Sequence, residues 1–138
     1  MKRVLFLCTH NSARSQMAEA LLRQRDGTDF QAYSAGTSPG RLHPLAVRAM
    51  AEKGIDVSAQ AAKDVRGFDG ERFDYVITAC DAARESCPIF PGAARQLHWS
   101  LPDPSAAKGE EEERLAAFRS VRDRLAALIS EFVSGVEE

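Results

Sequence analysis

Apolar and polar positions fall into blocks along the chain that predict strands and helices in alternation. Val4 to Leu7 is a short continuous apolar run, the pattern of a strand buried on both faces. A polar stretch follows. Met17, Ala18, Ala20, Leu21 and Leu22 then fit a helix that stops near Asp26-Gly27. Phe30 to Ala35 reads as a second strand, ended by Gly36 before a turn rich in Ser, Pro and Gly. Pro44 suits the first position of a helix carrying Leu45, Val47, Ala49 and Met50, with Gly54 as its stop. From Ser58 to Gly70 the pattern is poor. Asp74 to Ala79 reads as a third buried strand and Arg95 to Trp99 as a fourth. Glu111 to Val133 is the clearest helix: Leu115, Phe118, Val121, Leu125, Leu128, Ile129 and Phe132 recur at three- and four-residue steps.

Strands separated by helices predict a single-domain α/β fold. Its form is a three-layer sandwich, a four-stranded parallel sheet with right-handed crossovers flanked by helices. The 138 residues make one domain, and 44% hydrophobic content is enough for one core. No repeat, linker or low-complexity segment interrupts it. A net charge of −2 with scattered basic residues argues against nucleic acid or a membrane surface as the main partner. The N-terminal apolar run is too short for a signal-peptide core, and no stretch approaches the ~20 apolar residues of a membrane helix. The three cysteines are an odd number and cannot all pair. With no export signal, reduced thiols that do chemistry in the cytoplasm are expected.

The loop Cys8-Thr9-His10-Asn11-Ser12-Ala13-Arg14-Ser15 carries the first candidate chemistry. In a parallel sheet, ligands bind beyond the carboxyl ends of the strands, and this loop leaves the first strand there and enters a helix. Its backbone N–H groups can converge on an anion, and the helix N-terminus adds partial positive charge. Arg14 contributes a planar fork of donors suited to a tetrahedral oxyanion. The same field favours Cys8 as a thiolate, a nucleophile aimed at the bound oxyanion. Ser15 is placed to donate a hydrogen bond to that thiolate. The backbone does the gripping, so His10 is expected to point outward and not to act as a base.

Displacing an oxygen leaving group at neutral pH calls for a proton donor. Leu101-Pro102-Asp103-Pro104 follows the fourth strand, on the same edge of the sheet, and its prolines stiffen the loop. Asp103 is therefore the candidate general acid, with a bound anion nearby favouring its protonated form; a plain turn aspartate is the alternative.

Cys80 ends the third strand on the edge that carries Cys8, and Cys87 follows after Asp81-Ala82-Ala83-Arg84-Glu85-Ser86. If that stretch is helical, the two Cα atoms lie roughly 10 Å apart, against about 4.4–6.8 Å for a disulfide. Oxidation of the pair would then require the helix to unwind. Two structural cysteines are one alternative. A zinc site using the cysteines with His10, His43 or His98 is another, though it lacks a Cys-x2-Cys pair. Glu110 to Glu113 reads as a solvated acidic first turn, and Trp99 as core or pocket wall.

These residues bear a resemblance. Cys8 to Ala20 resembles the phosphate loop and first helix of thioredoxin-coupled arsenate reductases, which share the low-molecular-weight protein tyrosine phosphatase (flavodoxin-like) fold. The likeness continues through Tyr33-Ser34-Ala35-Gly36, the Cys80 to Pro88 segment, His98-Trp99 and Asp103-Pro104. The resemblance implies that Cys8 attacks arsenate while Arg14 stabilises charge and Asp103 protonates the departing oxygen. Cys80 would then attack Cys8, releasing arsenite and leaving a Cys8–Cys80 disulfide. Cys87 would next attack Cys80, leaving a Cys80–Cys87 disulfide for thioredoxin to reduce. Thiol exchange of this kind carries the oxidation outward from a buried loop. No bound cofactor is implied, the chain is expected to be a monomer, and phosphate or sulfate should serve as arsenate analogues.

Two departures from the pattern matter. Some relatives bind potassium through positions matching Asn11, Glu19 and Ser34 plus an aspartate, which falls on Lys63 here, next to Asp64. A lysine ammonium can replace the cation, which predicts little potassium dependence and no metal. Tyrosine phosphatases of this fold usually carry aromatic residues just after the Asp-Pro, where this chain has Ser105-Ala106. Weak hydrolysis of small aryl phosphates is therefore expected at most. The competing readings are a phosphatase working through a phosphocysteine at Cys8, and an anion-binding or redox-sensing module that needs no Asp103.

Overall fold

The computed structural model describes residues 1–81 and 89–137. Among them, four strands, β1 (Lys2–Cys8), β2 (Phe30–Gly36), β3 (Phe73–Thr78) and β4 (Ala93–His98), form one parallel sheet in the order β2-β1-β3-β4. Three helices accompany them, α1 (Arg14–Asp26), α2 (Pro44–Ala51) and α3 (Glu111–Glu137), with short 3-10 turns at Val65–Phe68 and Pro104–Ala106. No helix among the described residues is long and apolar enough to cross a membrane.

The unbroken apolar run of β1 has a simple cause. Successive strand side chains point to opposite faces, and both faces of β1 are covered. Val4 and Phe6 join Ile77 and the apolar sides of α1, α2 and α3. Leu5 and Leu7 join Ala35, Phe73, Val76 and Phe90, with Phe68 of the first 3-10 turn packed against them. Edge strand β4 is mostly exposed and carries Arg95 and Gln96, which suits an edge that must not pair further. It starts at Ala93 and ends at His98, two residues and one residue earlier than the sequence pattern suggests. Trp99 still donates its N–H to Thr78 O, while its ring packs on Phe6 and Phe132 as a wall of the core.

The register aligns the carboxyl ends of the strands. Cys8 pairs with Gly36, Leu7 with Thr78, and Thr78 with His98. The loops after all four strands therefore open on one edge. Gly36 is required where it stands, because a Cβ there would lie 2.6 Å from Thr9 O and 2.9 Å from Asn11 N. Only glycine lets the end of β2 pass beneath the first loop.

Helix α2 is pinned to α3 by Glu52, which follows it. Arg119 donates to both carboxylate oxygens of Glu52, and buried Arg122 donates to Glu52 Oε1 and to Ala49 O. These guanidinium bonds hold the Glu52 carboxyl down at about 2 from an ordinary 4.5. A depressed carboxylate stabilises the fold above its unfolded value, and that contribution is lost as pH falls through the folded one. Glu52→Gln should therefore melt below wild type at neutral pH. Melting curves taken from about pH 4.5 down to about pH 2 should show the gap closing.

Candidate active site

The loop from Cys8 to Ser15 wraps around the nucleophile that the sequence points to. Cys8 is buried with a free thiol. Its Sγ lies 2.8 Å from Ser15 Oγ and receives the Asn11 N–H at 3.2 Å. Lys63 N–H donates to Asn11 Oδ1, which fixes the amide orientation, so Asn11 Nδ2 is the atom that donates to Ser15 Oγ at 2.7 Å. Ser15 accepts there, which leaves its own hydroxyl hydrogen available to Cys8 Sγ. Two donors can therefore meet the sulfur.

The remaining loop residues are held by their backbones. Ser38 N–H bonds Thr9 O, Gly40 N–H bonds His10 O, and His43 N–H bonds Ser12 O. With these carbonyls drawn outward to the chain after β2, the loop amides are turned the other way. His10 is exposed and its Nδ1–H donates to Ser38 O, outside the loop, as expected. Helix α1 begins at Arg14 with Ala13 at its N-cap and no side-chain cap on its first amides. An uncapped helix start beside Cys8 is suited to an anion.

Arg14 is 3% exposed, and its Nη1 donates to Leu101 O at 3.1 Å. That bond ties the β4 exit loop to the oxyanion loop and carries Asp103 to this edge. The Asp103 carboxylate caps the second 3-10 turn, where Oδ1 accepts from Ser105 N–H and Ser105 Oγ–H. His43, named from sequence only as a possible zinc ligand, bonds Ser12 O through its N–H and takes a capping role instead. It caps α2 by accepting Leu45 N–H on Nδ1, and its ring stacks on Phe118 at 4.6 Å. Burial, then the Arg114 charge, push its pKa below the ordinary imidazole value, with Asp103 pulling the other way. The Pro44 that follows it was the available signal, since a residue before a helix-opening proline is a cap position.

Cys80 is fully buried just beyond β3, where Ala79 N–H bonds Leu7 O at 2.7 Å, directly beside the strand that ends in Cys8. Cys80 is disulfide-bonded. Cys87, and the short helix expected before it, lie outside the described residues. Among the described residues, no group of three His, Cys, Asp or Glu side chains is arranged to hold a metal ion.

A model of the low molecular weight phosphotyrosine protein phosphatase family matches residues 3–138. The chain belongs to that family. Within it, the chain is 42% identical to an arsenate reductase of Bacillus subtilis (strain 168), over 95% of this chain and 94% of the relative. It is 37% identical to an arsenate reductase of Staphylococcus xylosus, over 95% of each chain. Among solved structures, an arsenate reductase in the phosphate binding state superposes with a TM-score of 0.84 at 30% identity, covering 98% of each chain. A thioredoxin-dependent arsenate reductase of Corynebacterium glutamicum superposes with a TM-score of 0.71 at 28% identity, over 99% of this chain and 62% of that one.

Of the positions that match a potassium site in some family members, Asn11, Glu19 and Ser34 are kept here and Lys63 replaces the aspartate. Buried Glu19 accepts from Ser34 Oγ at 2.8 Å and from Arg23 at 3.1 Å, and the Lys63 ammonium stands 3.6 Å from Glu19 Oε1. Lys63 Nζ also donates to Ala61 O, and its backbone N–H holds Asn11 Oδ1. A potassium ion would have to sit against an ammonium group, so these residues do not fit one.

Proposed function

We propose that the chain reduces arsenate to arsenite, with thioredoxin as the electron donor. The Cys8 thiolate attacks arsenic, and Asp103 gives a proton to the departing oxygen, leaving an arsenic(V) thioester on Cys8. The Cys80 thiol then attacks Cys8 Sγ. The S–As bond breaks, its electron pair reduces arsenic to arsenite, and a Cys8–Cys80 disulfide forms. Cys87 attacks Cys80, freeing Cys8, and a thioredoxin dithiol reduces the Cys80–Cys87 bond. Such a cycle belongs in a reducing compartment, the cytoplasm.

One observation carries this reading. A sulfur with two donors in reach ends β1 inside an oxyanion loop, and a second buried cysteine follows β3 two residues past its end, where Ala79 N–H bonds Leu7 O of β1. The test is arsenate-dependent NADPH oxidation with thioredoxin and thioredoxin reductase. Wild type should turn over, and Asp103→Ala should lose about 10²-fold or more. Aryl-phosphate hydrolysis without arsenate-dependent oxidation would favour the phosphocysteine hydrolase instead.

Lys63 supplies a separate expectation. Because its ammonium already stands against Glu19, wild-type rates should be the same in potassium and in a large organic cation. Lys63→Asp should restore a cation requirement and raise activity in potassium several-fold over the organic salt. Strong potassium activation of wild type would overturn the assignment of Lys63 as the tethered cation.

A further inference from the structure

We propose that Gln16 and Gln60 are positioning residues for the Cys8 nucleophile, acting through Asn11 from behind the oxyanion loop. Asn11 has a φ of 51°, the left-handed region that non-glycine residues adopt rarely and asparagine tolerates best. This conformation turns its N–H onto Cys8 Sγ while its side chain reaches Ser15. Both donors to the sulfur therefore depend on one backbone twist, which must be held in place.

Gln16 holds it. Gln16 is completely buried in the first turn of α1. Its Nε2 donates toward Asn11 O at 3.0 Å, Asn11 Oδ1 at 3.0 Å and Ala61 O at 2.9 Å. Its Oε1 accepts from Gln60 Nε2 at 2.7 Å, and Gln60 Nε2 also reaches the Gln16 carbonyl at 3.2 Å. The amide orientations follow from carbonyl oxygens that can only accept. Gln60 must present its NH2 to Gln16 O, so Gln16 presents Oε1 to Gln60 and its own NH2 to the three acceptors. The segment Gln60 to Lys63 thus clamps the rear of the loop, Gln60 through Gln16 and Lys63 directly through Asn11 Oδ1. None of these groups touches the oxyanion side; their effect on the sulfur passes through Asn11.

Glutamate at position 16 separates donation from packing. It keeps the size of Gln16 and an acceptor for Gln60, but it sets a carboxylate oxygen against three acceptors. Asn11 then keeps only the Lys63 N–H on its Oδ1, and the alignment of both donors on Cys8 is weakened. This inference deepens the reading of Cys8 as a thiolate nucleophile, and it stands whichever oxyanion that thiolate attacks.

The test is iodoacetamide alkylation of Cys8, followed by mass spectrometry of its peptide across the neutral and alkaline range. Gln16→Glu and Gln16→Met should alkylate about tenfold more slowly than wild type at neutral pH, where the thiolate fraction decides the rate. At alkaline pH, where every thiol is ionised, the rates should converge. Gln60→Ala, at a half-buried position, should fall between and keeps the test open if the Gln16 variants do not fold. Unchanged neutral-pH rates, or equal slowing at every pH, would overturn the proposal. Alkylation needs no substrate, so failure of arsenate turnover in wild type would count against the reductase reading alone.

Discussion

Replacing Arg14 by lysine is expected to lower kcat/KM by about 10²–10³-fold, for arsenate reduction and for aryl-phosphate hydrolysis alike. In the proposed mechanism both reactions begin with Cys8 and a tetrahedral oxyanion, so both would depend on the same stabilisation of developing negative charge. Lysine keeps the charge but loses the fork. A guanidinium can hold Leu101 O through one nitrogen while facing the anion with others. An ammonium is a point donor, and from this position it must give up one of those partners. Losing Leu101 frees the loop that carries Asp103; losing the anion removes the stabilisation directly. The positive charge remains at a site that is 3% exposed, so a folded protein with a near-normal melting curve is expected. Steady-state kinetics on both substrates check the prediction, and a loss below about tenfold would show that charge without geometry suffices.

The front of this site was legible in the sequence because local rules govern it. A strand buried on both faces must end where polar residues begin, and a loop between that end and a helix must lie on the ligand edge of a parallel sheet. Cys8, Arg14 and Ser15 follow from that placement. The rear of the site was illegible for an equally physical reason. Ser58 to Gly70 shows no periodicity because its order comes from bonds to remote side chains. Gln16 reaches Ala61 across 45 positions, and Lys63 reaches Asn11 across 52. No hydrophobic period records such contacts. Gln16 itself left a faint trace, a polar residue beside Met17 at the start of a helix that is buried throughout its first two turns. The start of β4 was missed because Ala93 and Ala94 lie on an exposed edge strand, where no buried face imposes a pattern.

Cys80→Ser should abolish thioredoxin-coupled arsenate turnover while leaving aryl-phosphate hydrolysis within about threefold of wild type. The two reactions part after the first step. On the proposed mechanism hydrolysis would need Cys8, Arg14 and Asp103, then water; reduction would need a second sulfur to take Cys8 and leave an electron pair on arsenic. Serine fills nearly the same volume at a fully buried position, so the oxyanion loop should keep its shape. Its hydroxyl is a far weaker nucleophile at neutral pH and forms no disulfide. With enzyme reduced beforehand, Cys80→Ser should release no arsenite, because the Cys8 adduct has no thiol to displace it. Cys87→Ser should behave differently and release a single equivalent, stopping with Cys8 and Cys80 joined. That contrast assigns an order to the three thiols that loss of activity alone cannot give. Sustained arsenite production by Cys80→Ser would remove Cys80 from the relay, and with it the reason for a second buried cysteine beside the strand that ends at the nucleophile.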